Sequence, residues 1–321
     1  MLKYLIILLD DTSTSFCYNK NERNKRRLIP INLLKDGIIW GMKENVFLQF
    51  VYPDYELPIE YEVLIESVNH TKIKPATSRK DADIIVFNST NEVHVPSLNT
   101  EKTYVLRLSK EELFQQVSLI KDFIGRCTRL NIITTDVESF SEDDFDEYQR
   151  VLLEIAKHIE ALYASGKAPQ LNILTDRMFL DGMNNCDAGE SSVTLAPNGK
   201  FYVCPAFYQS PHASQTILGR TYTIGSLADG LNILNAQLYK KDYSPLCRIC
   251  DSYQCKRCVW LNRKTTLEVN TPSHAQCVIS HLERNTSREL LMSIRKHGVF
   301  LPNIEIKKID YTDPFDVKKE W

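Results

Sequence analysis

The sequence has 321 residues, and its 43% hydrophobic content is enough to build a core for one large or two ordinary globular domains. Its 39 basic and 41 acidic residues nearly cancel, so the net charge of -2 predicts neither a nucleic-acid nor a membrane partner. The apolar run at positions 3–9 is too short to span a membrane and no cleavage-site pattern follows it, so we expect a soluble, cytoplasmic protein.

The N-terminal half alternates short β-rich runs with helical patterns, which is typical of a mostly parallel sheet covered by helices. Six apolar runs have the length of buried parallel strands. They are Lys3–Leu9, Val46–Tyr52, Ile84–Asn88, Tyr104–Leu108, Leu130–Thr134 and Leu171–Thr175. No helical pattern separates the third run from the fourth. The sequence therefore predicts an α/β fold, and the pattern leaves open whether the sheet is open or a partial barrel.

Two helices of the N-terminal half carry clear start and stop signals. A capping box at Ser141 begins one amphipathic run, which ends at Gly166, and a box at Ser109 begins its neighbour, which ends at Gly125. Near residue 180 the helical periodicity stops. We therefore predict an α/β domain at 1–180 and a loop-rich domain at 181–321, with a further helix near Ser287–Lys296 and a short strand near 304–309.

Seven of the nine cysteines lie between positions 186 and 277. They are Cys186, Cys204, Cys247, Cys250, Cys255, Cys258 and Cys277. In a reducing compartment such clustering indicates metal binding rather than disulfides. The two C-x-x-C pairs can each present two sulfurs to one ion or cluster edge, and Pro197-Asn198-Gly199 predicts the turn of a hairpin ending at Cys204. A zinc site would need only the four cysteines of the two pairs, which leaves three cysteines unexplained.

The spacing of these cysteines resembles the SPASM domain. Cys186 is followed by Gly199, Cys204, the C-x-x-C run and Cys277 at that family's separations, and the segments 204–207 and 224–227 also look like the family. The resemblance implies one or two auxiliary [4Fe-4S] clusters. By the family's ligation, one cluster would be held by Cys247, Cys250, Cys255 and Cys277, and the other by Cys186, Cys204 and Cys258.

Two departures from the SPASM pattern affect this assignment. Both inner gaps of the four-cysteine run are one residue shorter than usual, so the division of cysteines between clusters stays open, as does zinc in place of iron. The second set also lacks one ligand. Asp181 is the candidate additional ligand, and the alternative is an open iron that could bind a substrate thiolate.

A radical S-adenosylmethionine (SAM) enzyme needs three cysteines after its first strand, usually as C-x-x-x-C-x-x-C. This sequence has only Cys17 there. That argues against ordinary 5'-deoxyadenosyl radical chemistry and leaves SAM binding open. The strand and helix alternation before a SPASM-like module nevertheless resembles a degenerate or partial (β/α)6 radical SAM barrel.

The opening segment KYLIILLDDTSTSFC, together with the altered cysteine module, resembles the CXXX repeat peptide maturases. The resemblance implies post-translational maturation of a ribosomally synthesised cysteine-repeat peptide, with auxiliary clusters that bind or activate it. Its partners would be that precursor peptide and a companion modification protein. The alternatives are a non-catalytic protein that presents the peptide to a separate maturase, and a zinc-stabilised scaffold. No residue is assigned a catalytic role, so enzymatic activity stays open.

A few other polar residues are expected to have structural roles first. Asp10 and Asp11 follow the first strand, where α/β folds place active sites, but a turn or helix cap is the favoured interpretation. Cys17 could be a thiol relay or a ligand, although an isolated cysteine is more often a small buried hydrophobe. The basic run at 23–27 predicts a solvated loop, with a peptide-leader contact as the alternative. His274 is not expected to be catalytic.

Overall fold

The computed structural model describes residues 2–180, 186–210, 222–248, 250, 252, 255 and 258–304. The strands in these residues are β1 (Tyr4–Leu8), β2 (Phe47–Val51), β3 (His70–Pro75), β4 (Ile84–Phe87), β5 (Thr103–Leu108), β6 (Arg129–Thr134), β7 (Gln170–Leu171), β8 (Ser192–Leu195), β9 (Lys200–Tyr202), β10 (Thr223–Ser226) and β11 (Gly230–Leu231). The α-helices are α1 (Ile31–Lys43), α2 (Ile59–Glu66), α3 (Lys110–Gln115), α4 (Val117–Ile124), α5 (Glu142–Ala164), α6 (Asp176–Phe179), α7 (Pro205–Gln209), α8 (Val259–Thr266) and α9 (His274–Ile294).

All these strands form one sheet, in the order β11-β10-β9-β8-β1-β2-β3-β4-β5-β6-β7. Strands β1 to β7 pair in parallel with their neighbours, and β8 pairs in parallel with the other side of β1. Strands β8 to β11 pair in antiparallel fashion. The predicted α/β class and parallel alternation are confirmed. The sheet runs without a break past the boundary predicted near residue 180.

Local signals account for several predicted features that the structure contains. Both capping boxes are present, at Ser109 for α3 and at Ser141 for α5. The hairpin is formed by β8 and β9, and Gly199 has a φ of +74°, a conformation that favours glycine in a turn. The connection from β4 to β5 contains short 3-10 turns, in agreement with the missing helical pattern.

One strand was not predicted, and two predicted element boundaries need correction. Strand β3 was not predicted, because its sequence HTKIKP carries positive charge. Lys72 is nevertheless buried in this strand, where its ammonium group pairs with Glu62 and Glu66. The strand predicted at Leu171–Thr175 is wrong beyond its first residue, because the Thr175 hydroxyl accepts a hydrogen bond from the Leu171 amide and the chain turns into α6. The helix predicted from Ser287 begins at His274. The strand predicted near 304–309 lies almost wholly outside the described residues.

Two hydrophobic cores lie in the protein. The first core contains β5, β6 and α5 and extends to α9, and the second core surrounds β1, β2, β8 and β9. Burial of apolar surface in these cores is the main stabilising contribution. An internal ion pair between Arg177 and Glu283 joins α6 to α9. No helix in the described part of the chain is long and apolar enough to cross a membrane.

Candidate functional site

A cavity of about 590 Å³ opens at the carboxyl ends of six consecutive parallel strands. Ligand sites of α/β folds lie at this edge of the sheet, because loops that follow parallel strands meet there. Hydroxyl, amide and charged side chains of both signs line the cavity. They are Thr12, Ser13, Thr14, Ser15, Lys20, Asn21, Arg26, Asp54, Thr77, Asn88, Glu92, Arg107 and Thr135, together with Pro75.

The loop after β1 forms one wall of the cavity and is fixed to the next strand. The hydroxyl of Ser13 donates a 2.8 Å hydrogen bond to the carbonyl of Val51, and the amide of Thr14 donates to Tyr52 over 2.9 Å. The same loop is tied to α7, because Gln209 donates to the Ser13 carbonyl over 2.9 Å and accepts from Asn19 over 3.0 Å. The loop is therefore held by the end of β2 and by α7.

Asp10 closes the turn that begins the loop. Its Oδ1 atom accepts the amide of Thr12 over 2.8 Å and its Oδ2 atom accepts the hydroxyl of Tyr55 over 2.8 Å. These bonds confirm the turn interpretation for Asp10.

Asp11 is buried and joins the connection between β1 and α1 to α7. Its carboxylate accepts the hydroxyl of Tyr208 and forms ion pairs with Arg27 over 3.1 Å and with Arg23 over 4.0 Å. Arg23 also lies over the Tyr208 ring, 3.8 Å from its centroid. The Arg27 side chain is still 53% exposed and that of Arg23 34%, so the run keeps its predicted contact with solvent while these two arginines also pair with Asp11. Burial and the hydrogen bond to Asp11 raise the pKa of Tyr208, so its hydroxyl stays protonated.

Arg107 forms the floor of the cavity, and the sequence analysis missed it. It lies near the end of β5 and is only 6% exposed. Its guanidinium donates to the Cys17 carbonyl over 3.0 Å, to the Asn19 carbonyl over 2.6 Å and to the side chain of Asn88. Desolvation lowers the pKa of Arg107, which still remains charged at neutral pH. A charged residue near the end of an otherwise apolar strand was the available signal.

Four cysteines that are distant in sequence interact electrostatically beside this floor. Burial raises the pKa of the Cys17 thiol, and the charges of Cys186 and Cys258 raise it further, while Arg107 lowers it. Burial likewise raises the pKa of Cys204, with further contributions from Cys258, Cys17 and Cys186. Cys17 and the three cysteines assigned from sequence to the incomplete cluster therefore take part in one set of electrostatic interactions that raises the pKa of the Cys17 and Cys204 thiols.

Two of the remaining cysteines of the module are placed at α9, with Cys277 in the helix and Cys250 beside it. The Cys250 amide donates to the Cys247 carbonyl over 3.1 Å, which closes the tight turn of the first C-x-x-C pair. The Cys250 sulfur lies 3.7 Å from Nε2 of His281, a residue on α9 one turn after Cys277. Asp181, the candidate additional ligand, is outside the described residues.

The donor set is suitable for iron-sulfur clusters, which are held by cysteine thiolates. Among the residues described, no group of three or more His, Cys, Asp or Glu side chains is placed to hold a single metal ion. Four thiolates on one zinc ion would be only roughly 3.8 Å apart, given Zn–S bonds of about 2.3 Å. The irons and sulfides of a cluster occupy the space between their ligands, so the thiols of a cluster site lie farther apart than those of a zinc site.

Solved structures of anSMEcpe, a radical SAM/SPASM maturase, match nearly the whole chain. The structure with bound AdoMet matches with a TM-score of 0.63 at 11% identity, covering 91% of this chain and 99% of that chain. The structure with AdoMet and the Cp18Cys peptide gives 0.62 at 12% identity, with the same coverage. This chain has the fold of the radical SAM/SPASM maturases. No protein-family model and no curated protein sequence matches it.

The likeness of fold confirms the predicted architecture, a radical SAM-like α/β domain followed by a cysteine-rich region. It extends over both parts of the chain, since the structure of histidine-tagged anSMEcpe covers 94% of this chain with a TM-score of 0.61 at 10% identity. The sequence differs from a radical SAM enzyme in the loop after β1, where Cys17 is the single cysteine. In this loop Thr12, Ser13, Thr14 and Ser15 line the cavity, and the hydroxyls of Thr12, Ser13 and Ser15 donate hydrogen bonds within the protein.

Proposed function

We propose that this protein takes part in the maturation of a ribosomally synthesised, cysteine-repeat peptide, which it binds in the cavity at the carboxyl ends of β1 to β6. The observation that carries the proposal is the cavity itself, built from the ends of six strands in a fold shared with peptide-bound anSMEcpe. Its mixture of hydroxyl, amide and charged groups suits the backbone and polar side chains of a peptide.

The seven cysteines of the module would hold one or two [4Fe-4S] clusters beside the cavity. Such clusters supply electron transfer and Lewis-acid chemistry when bound. The protein's own residues shape the peptide site: Arg107 fixes the loop after β1, and Asp11 anchors α7 to that loop through Tyr208. In this proposal the peptide binds in the cavity at the carboxyl ends of β1 to β6, and the clusters are bound by the cysteine-rich module.

A second candidate function is supported by the loop after β1. Without the three cysteines that hold the catalytic cluster of a radical SAM enzyme, the protein would bind the precursor and present it to a companion maturase. Both candidates need the same cavity. They differ in whether the peptide changes in mass when this protein is the only one present.

The first test is peptide binding by the anaerobically purified protein. A fluorescent peptide with cysteine at every fourth position should bind, and Thr77→Trp, which fills the cavity from an exposed position, should weaken binding by at least about tenfold. Thr100→Trp is the matched control, because Thr100 is exposed and does not line the cavity. Equal affinities of the two variants would contradict the proposal.

The second test separates the two candidates. The peptide is incubated anaerobically with the iron-loaded protein, SAM and dithionite, and its mass is then measured. A mass change that depends on the protein supports a maturase. Binding without a mass change supports the presenting role. A peptide in which every cysteine is replaced by serine shows whether the cysteines are what the protein recognises.

A further inference from the structure

The guanidinium of Arg107, at the floor of the cavity, forms no ion pair in the described part of the chain. Its Nε, Nη1 and Nη2 atoms donate to the carbonyl of Cys17, the side chain of Asn88 and the carbonyl of Asn19, which are all neutral oxygens. These bonds use three of its five N–H donors. A buried charge is normally paired with an opposite charge, and Arg107 is only 6% exposed. An uncompensated positive charge therefore borders the cavity.

Lys20 adds a second positive charge beside this floor. The carbonyl that Arg107 binds over 2.6 Å belongs to the peptide bond between Asn19 and Lys20. The side chain of Asn21, the next residue, donates to two carbonyls of the loop after β1, over 2.9 and 2.8 Å. The backbone of Lys20 is thus fixed on both sides. Lys20 lines the cavity, is exposed and forms no ion pair with any residue that the structure describes.

The other charged residues of the cavity are engaged elsewhere. Arg26 forms an ion pair with Asp54 over 3.8 Å. The carboxylate of Glu92 accepts the amide of Asn88 over 2.8 Å, which holds the turn after β4. Among the described residues, the two basic side chains of the cavity that lack an ion pair are therefore the two at its floor.

We infer that the cavity recognises a carboxylate group, which the bound peptide supplies and which pairs with Arg107 and Lys20. This inference rests on the proposed function, because it names the chemical class of peptide that the cavity takes. A carboxylate is ionised at neutral pH, whereas an ordinary cysteine thiol, with a pKa of about 8.5, is mostly neutral. Hydrogen bonds from a guanidinium or an ammonium group to a carboxylate are also among the strongest in proteins. The favoured partner of the two positive charges is therefore an acidic group of the peptide and not one of its thiols.

The test compares four fluorescent peptides that all have cysteine at every fourth position. Their spacers contain either glutamate or glutamine, and their C termini are either free acids or amides. The peptide without a carboxylate should bind the wild type about tenfold more weakly than the peptide with both kinds, because the charged hydrogen bonds are lost. The single carboxylate that restores the affinity identifies its source. The net charge of -2 would by itself disfavour the acidic peptides, so a preference for them must arise locally.

Lys20→Glu is the variant that tests the assignment to this residue. It reverses the charge at an exposed position whose side chain makes no hydrogen bond among the described residues, so the fold should be kept, and far-UV circular dichroism checks this. The ratio of the two dissociation constants should fall from about ten to about one or below. Lys25→Glu is the matched control, because it makes the same change in net charge at an exposed residue that does not line the cavity. Its ratio should equal that of the wild type.

The outcomes separate this inference from the proposed function. Equal affinities of the four peptides for the wild type, or an unchanged ratio in Lys20→Glu, would overturn the inference and leave the proposed function in place. If no peptide binds, the proposed function fails, and lysine acylation measured by mass spectrometry tests the carboxylate site alone. N-Acetylglutamate should then slow the acylation of Lys20 more than N-acetylglutamine does, with Lys25 as the internal reference. Equal rates with the two compounds would also overturn the inference.

Discussion

Removal of the Glu283 carboxylate should destabilise the protein strongly, because this group is fully buried and holds two partners. It accepts a 2.6 Å hydrogen bond from the hydroxyl of Tyr148 on α5 and forms an ion pair with Arg177, which is 1% exposed. Breaking a buried pair by removing one partner costs about 3–5 kcal/mol, since the other charge stays in the interior. Glu283→Ala should therefore lower the free energy of unfolding by about that amount.

The expected change in melting temperature follows from chain length. An unfolding entropy of about 2.1 cal/mol/K per residue gives roughly 0.7 kcal/mol/K for 321 residues, so the loss corresponds to about 4–7 °C. Scanning calorimetry at neutral pH measures it. Glu147→Ala is the control, because its partner Arg150 is 73% exposed and such surface pairs contribute less than about 1 kcal/mol.

A double variant separates charge from packing. Arg177→Met combined with Glu283→Leu removes both charges, and we expect it to be more stable than either single variant. A melting temperature of Glu283→Ala within about 1 °C of that of the Glu147→Ala control would refute the argument that this pair locks α9 onto α5 and α6.

Three further predictions concern local features. The hydrogen bond from Lys110 lowers the pKa of Asp144 to about 2, below the value of this carboxyl in the unfolded chain. The pair therefore stabilises the fold above about pH 4, and this stability is lost as the pH falls toward 2. The difference in melting temperature between the wild type and Lys110→Met should shrink over that range. Gly225→Ala should be far more destabilising than Gly230→Ala in thermal unfolding, because a Cβ atom at Gly225 would lie 1.9 Å from the Gly230 carbonyl oxygen, whereas a Cβ at Gly230 meets nothing within 4 Å. Ser273→Ala removes the capping box of α9 and should cost about 1 kcal/mol in thermal unfolding, and a change below a few tenths of a kcal/mol would contradict it.

The sequence was sufficient for features that depend on local signals. Capping boxes, the glycine turn of the hairpin and five of the apolar strands were predicted because each depends on residues within a few positions of one another. Strand β3 was missed because the charge of Lys72 is neutralised by Glu62 and Glu66 on the preceding helix, a contact that hydrophobic periodicity does not reveal. The predicted strand Leu171–Thr175 was too long, because the Thr175 hydroxyl accepts a hydrogen bond from the Leu171 amide and the chain turns there.

The candidate site also depends on contacts between residues far apart in sequence, which local signals do not reveal. The spacing of the seven clustered cysteines pointed to a cluster-binding module, but Cys17 lies far from them in sequence and was treated as isolated. The pairing of β8 with β1, and the hydrogen bond from Gln209 to the loop after β1, bring the two regions together. Arg107 was overlooked for a related reason, since its partners are backbone carbonyls in another loop.

The loop after β1 can thus serve two purposes in one structure. Its hydroxyl-rich first half lines the cavity, and its second half, from Phe16 to Asn19, is clamped between the cores by Arg107 and Gln209. Cys17 lies in the clamped half, where its carbonyl accepts a hydrogen bond from Arg107 over 3.0 Å, so its backbone position is fixed by the floor of the cavity.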